Sequence, residues 1–131
     1  MRSEIELRLP PESIAPILAR AAVTAIGSGL PGSVVSDAEL LTSEVVSNAV
    51  KHADLDPSQE IVLRVVMDKR LRIEVADPGP PFEADLRRQS SDANGWGLFL
   101  IEAIAMSWGV EPEGVGKKVW FELDPGPDRP N

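Results

Sequence analysis

The sequence predicts an α+β fold, a two-layer sandwich with helices on one face of a mixed, mostly antiparallel sheet. Three observations carry this expectation. Four or five segments alternate apolar and polar residues with the period of a half-buried strand. The helical segments are mostly apolar on one side. The elements follow the order strand, helix, helix, hairpin, loop, helix, hairpin, which suits helices stacked on a sheet.

Each element has its own reason. Ile5, Leu7 and Leu9 alternate with Glu4, Glu6 and Arg8, and Pro10 and Pro11 end that strand. Ser13 is placed to cap a first helix with Pro16 in its first turn and an apolar face of Ile14, Leu18, Ala21 and Ala25. Gly27, Gly29, Pro31 and Gly32 stop it. Ser36 and Glu39 read as a capping box that opens a second helix, in which Leu40, Leu41, Val45 and Ala49 flank a polar stripe. Asp54 to Gln59 is a loop. Ile61 to Met67 and Leu71 to Val75 alternate around Asp68 to Arg70, a predicted hairpin. The proline- and glycine-rich segment from Asp77 to Phe82 and the polar segment from Glu83 to Asn94 form a loop or lid. Gly95 to Met106 reads as a glycine-opened helix, apolar nearly all round and therefore buried. Trp108 to Glu111 and Lys117 to Leu123 close the fold as two strands around a turn from Pro112 to Gly116. One domain is expected over residues 1–123, with residues 124–131 a disordered tail.

Composition narrows the function. A chain of 131 residues suits one domain with a core that needs no metal or disulfide staple. It has no cysteine, which removes disulfides and thiolate metal sites. The formal net charge of -8 argues against nucleic acid as a partner, since phosphate backbones attract clustered Lys and Arg. No apolar run approaches the roughly 20 residues that span a bilayer, and the first residues alternate where a signal peptide would have an apolar block. A soluble cytoplasmic protein with no membrane partner is the expectation.

Chemistry concentrates at three places. Glu44, Asn48 and His52 fall four residues apart, on one stripe of the second helix. A carboxylate and a carboxamide so placed can orient a hydroxyl beside a metal-bound phosphate, and a solvated polar stripe accounts for the same pattern. Asp77 and Gly79 end a strand. A buried Asp there can accept from the amine of adenine while the glycine lets a flat base approach, although an ordinary Asp-Pro-Gly turn has the same residues. Gly95 and Gly97 open a helix whose free N–H groups and positive end suit phosphate, or else form a glycine hinge.

The ordered set is more specific than its parts. Glu44 through Ala53, then Asp77 with Gly79, then Gly95 through Leu98, then Gly116 through Leu123, together resemble the GHKL ATPase superfamily, and more narrowly the small bacterial anti-sigma factor serine kinases. The resemblance spans about residues 5–123 and implies the Bergerat ATP-binding fold. It implies that Glu44 is the catalytic base that accepts a proton from a seryl or threonyl hydroxyl. Asn48 would ligate Mg2+ through a hard oxygen, and His52 would lie near the nucleotide. Asp77 would bind the adenine amine, with Gly79 letting the base approach and Phe82 walling it. Gly95, Gly97 and the Leu98 amide would face the phosphates, with Arg87 or Arg88 a cation of the lid. ATP and Mg2+ are thus the implied cofactors. An anti-sigma factor antagonist is the implied substrate protein, a sigma factor a second partner, and a homodimer the implied assembly.

Other branches of the superfamily fit less well. Sensor histidine kinases need a separate phosphoacceptor histidine, and His52 is the only histidine. Topoisomerase, mismatch-repair and chaperone members need large further domains. The chain also departs from the resembling family's pattern. Pro81 stands where a second glycine is usual, Trp96 separates the glycines of the second box, and Lys118 stands where a threonine binds adenine through a water. These departures define the alternative, an inactive ATP-binding or nucleotide-free interaction module of the same fold. Trp120 alternates away from Val119 and Phe121, which marks the open face of the sheet as the place for a subunit contact.

Overall fold

The computed structural model describes residues 2–79 and 96–126, with the backbone alone for residues 96–98. In chain order the elements are β1 (Ser3–Leu9), α1 (Ala15–Ile26), α2 (Gly32–His52), β2 (Ile61–Met67), β3 (Leu71–Asp77), α3 (Trp96–Ile104), β4 (Ser107–Glu113) and β5 (Gly116–Leu123). The five strands form one sheet in the order β1-β2-β3-β5-β4. Each neighbouring pair is antiparallel. This is the α+β sandwich that the alternation predicts.

The register decides which residues meet the helices. Leu63 lies opposite Val75, Val65 opposite Ile73, and Ile73 opposite Phe121. All belong to one buried cluster with Ala19 and Val23 of α1 and Leu41 and Val45 of α2. Because side chains alternate along a strand, the intervening residues form the other face. That face is a lattice of charge. Arg64 reaches Glu4 at 2.7 Å and Glu74 at 3.6 Å, while Arg72 reaches Glu74 at 2.8 Å and Glu122 at 3.0 Å. The Arg72 guanidinium also lies 4.3 Å from the ring centre of Trp120, a cation–π contact. Trp120 does sit on the open face, as its alternation predicts, but its neighbours there are ion pairs rather than an apolar strip.

The helices depart from expectation in informative ways. Ser13 does not cap α1; Ile14 stands at the N-cap with no side-chain bond. The buried face of α1 is Ala15, Ala19, Ala22 and Val23, whereas Ile14 and Leu18 are 43% and 39% exposed and Ala21 and Ala25 face solvent. The expected face is off by one residue, a rotation of about 100°. The contact selects small side chains, which let α1 come close to the layer below it, over bulky ones. Likewise α2 begins at Gly32, a turn before the proposed capping box, so Ser36 lies inside the helix. Glu39 instead accepts from the Thr24 hydroxyl, and Arg20 donates to Ser43 at 3.1 Å, so polar links join α1 to α2. Leu40 is 43% exposed while Leu41, Val45 and Ala49 are buried. α3 is not buried all round. Ile101 is fully buried but Phe99 is 56% exposed; among the described residues α3 packs chiefly against α2 and β4. Pro112, expected in the turn, lies within β4, an edge strand that tolerates the missing N–H.

Candidate functional site

The polar stripe falls on the C-terminal half of α2. Glu44 and Asn48 are half-buried beside Val45, Val46 and Ala49, which are buried, and His52 is exposed. The stripe therefore borders the core and opens outward at its end. α2 stops at Ala53, whose N–H donates to the Ala49 carbonyl at 3.2 Å. Asp54 follows with φ of 54°, a left-handed conformation that Asp tolerates better than most residues.

Gly79 fastens the second motif to this helix. A Cβ placed on it would lie 2.7 Å from the Ala53 carbonyl oxygen and 2.8 Å from the Ala53 Cβ, so only glycine lets the turn after β3 seat against the end of α2. The Gly79 N–H donates to Asp77 Oδ1 at 2.9 Å and holds that turn. Residues far apart in the chain, Glu44 to His52 and Asp77 to Gly79, thus share one end of the sandwich.

Asp77 is 5% exposed, as an adenine-reading carboxylate requires. Its Oδ1 also accepts from Lys117 Nζ at 3.0 Å, and Lys117 is itself 5% exposed. The pair arises from register: Asp77 and Lys117 are partners across β3 and β5, on the face that the helices cover. Among the described residues no donor reaches Asp77 Oδ2. Gly116 completes the corner, since a Cβ there would lie 1.9 Å from the Asp77 carbonyl oxygen.

The two lysines that open β5 project from opposite faces of the sheet. Lys118, read as the replacement for an adenine-binding threonine, projects from the opposite face, 3.8 Å from both Glu74 and Glu111. The residue beside Asp77 is Lys117. The period of two was signal enough: if Val119, Phe121 and Leu123 face the core, Lys117 does as well. Lys118 therefore does not close the base site. Lys118 instead lines a polar depression of about 650 Å³ on the open face, with Arg64 and Glu74.

The donor set suits a magnesium nucleotide. Asn48 offers a hard oxygen, and no cluster of three or more His, Cys, Asp or Glu that would cage a metal occurs among the described residues. A magnesium ion typically takes one or two protein oxygens, phosphates and waters. The buried Asp77 keeps one carboxylate oxygen without a described donor. Gly97 and Leu98 lie in the first turn of α3, which begins at Trp96. Pro81, Phe82, Arg87, Arg88 and Gly95 lie outside the described residues.

Comparison with known proteins bears on this geometry. The sequence pattern of the histidine kinase-like ATPase domain matches residues 7–123. A serine-protein kinase RsbW from Listeria monocytogenes serotype 4a (strain HCC23) is 30% identical over 120 residues, covering 79% of this chain and 76% of the relative. An RsbW serine-protein kinase from Staphylococcus aureus (strain MRSA252) is 27% identical over 117 residues, covering 76% of this chain and 74% of its own. Among solved structures, the RsbU and RsbW domains of a Mycobacterium tuberculosis protein superpose with a TM-score of 0.72 at 21% identity, over 92% of this chain and 32% of that one. The histidine kinase domain of a blue-light activated kinase from Erythrobacter litoralis gives 0.57 at 20% identity, over 95% of this chain and 68% of that one. At such identities the superpositions establish the fold alone.

Proposed function

The chain belongs to the histidine kinase-like ATPase domain family, and we propose that within it the protein is an ATP-dependent serine/threonine kinase acting on an anti-sigma factor antagonist. The observation that carries this reading is the seating of the Asp77–Gly79 turn against the end of α2, which brings the residues proposed here to bind base and metal to one end of the fold. The kinship with RsbW serine-protein kinases supports the reaction class.

The roles follow from chemistry. Asp77 accepts from the adenine amine, and Gly79 gives the base room against the backbone. Asn48 would hold Mg2+ through its side-chain oxygen, and the metal would supply charge neutralisation for the phosphates. Glu44 accepts the proton of the attacking seryl or threonyl hydroxyl as its oxygen bonds to the terminal phosphorus and ADP departs. The first turn of α3, with Gly97 and Leu98, offers its backbone N–H groups to phosphate. His52, Phe82 and Gly95 complete the proposed nucleotide contacts. A sigma factor as second partner, a homodimer, a cytoplasmic location and a single domain over residues 1–123 belong to the same proposal. No helix among the described residues is long and apolar enough to cross a membrane.

One observation favours a second reading. The Asp77–Lys117 pair already satisfies part of the carboxylate that would read the base, as a nucleotide-free interaction module would require. Phosphoryl transfer from ATP to a purified antagonist domain separates the two. The kinase reading expects labelled antagonist with the wild-type protein and none with Glu44→Ala. Antagonist that binds the protein but is never phosphorylated supports the module.

A further inference from the structure

Lys117 has no part in the nucleotide contacts proposed above, yet among the described residues it is the charged group closest to the carboxylate that would read the base. We propose that Lys117 reads the ring nitrogen N1 of adenine directly, so that Asp77 and Lys117 together select adenine. This rests on the nucleotide-binding reading of the site. The observations are the 3.0 Å contact between Lys117 Nζ and Asp77 Oδ1, the near-complete burial of both side chains, and their placement as cross-strand partners on the helix-covered face.

The pair presents an acceptor beside a donor. The Watson–Crick edge of adenine presents the complement, an amine N–H beside the N1 lone pair, and guanine inverts it with a carbonyl oxygen beside an N–H. Asp77 Oδ2, with no donor among the described residues, receives the amine. The ammonium carries three N–H groups and can keep its bond to Oδ1 while donating to N1. Such a charge-assisted bond in a buried site is stronger than a water-mediated contact from a hydroxyl. Guanine would set its N1–H against the ammonium and its oxygen against the carboxylate. Gly116 and Gly79 make the arrangement possible, because any side chain at either would press on the backbone that carries Asp77 or on Ala53.

The test is calorimetric titration of the full chain, in Mg2+, with ATP, with 1-deaza-ATP in which C–H replaces N1, and with GTP. The expectation is that 1-deaza-ATP binds about ten- to a hundredfold more weakly than ATP, with GTP weaker still. In Lys117→Met, which removes the donor but keeps the stem, the ratio of ATP to 1-deaza-ATP falls to near one. The analogue arm uses the wild-type protein, so it stands even if the variant is too unstable to titrate. Equal binding of ATP and 1-deaza-ATP by the wild type overturns the role of Lys117 and leaves the nucleotide site intact, as does GTP binding equal to ATP. Tighter ATP binding by Lys117→Met also overturns it, showing that the lysine closes the pocket. Binding of none of the three overturns the nucleotide reading itself.

Discussion

Glu44 and Asn48 lie one helical turn apart on α2, and the account gives them separable tasks. Removing the base should spare binding: Glu44→Ala is expected to lower phosphoryl transfer by about a hundred- to ten-thousandfold while the affinity for Mg-ATP changes by no more than a few-fold. Single-turnover transfer assays alongside titration check this, and an equal loss in both would place Glu44 in binding instead. Gly79 makes a structural prediction. Its missing Cβ would lie 2.7 Å from a backbone oxygen that has little room to retreat, so Gly79→Ala should cost about 1–3 kcal/mol by overpacking. Denaturant unfolding measures that cost. A neutral outcome would mean that the turn after β3 and the end of α2 are not pressed together.

At the scale of elements, the open face of the sheet has a pH signature. Burial pushes the Glu74 carboxyl up, but its bond from Arg72 and the charges of Lys118, Arg72 and Arg64 together hold it below its ordinary value of 4.5. A carboxylate with a lowered folded pKa contributes stability that is complete above the unfolded value and is lost as pH falls through the folded one. Glu74→Gln should therefore be less stable than the wild type at neutral pH, by about 1 kcal/mol or less for such a lattice. The gap should close as pH falls below 4.5. Thermal melts across that range test it, and a gap independent of pH would assign the cost to packing. The strands were the legible part of the sequence, because alternation of Ile61 to Met67 and Leu71 to Val75 specifies both existence and face. The helix faces were less legible. Ile14 and Leu18 outweighed Ala15 and Ala19 by size, and no periodicity within one helix says how closely its neighbour approaches. The face of Lys117 was readable from the alternation of β5, whereas its pairing with Asp77 depends on the register between β3 and β5. The polar stripe of α2 and the Asp77 turn were readable as local patterns; their meeting at Ala53 and Gly79 depends on tertiary packing.

For the molecule as a whole, the central claim is that one end of the sandwich is a magnesium-nucleotide site. Family membership sets the fold, and the seating of the Asp77 turn on α2 brings the proposed base-reading carboxylate to the end of the stripe that carries Asn48. The direct measurement is isothermal titration of ATP into the purified protein with and without Mg2+, in the wild type and in Asn48→Ala. The account predicts magnesium-dependent binding in the wild type and loss of that dependence in Asn48→Ala, with the fold retained by circular dichroism. Absence of binding at millimolar ATP, or binding that ignores both magnesium and Asn48, would contradict it.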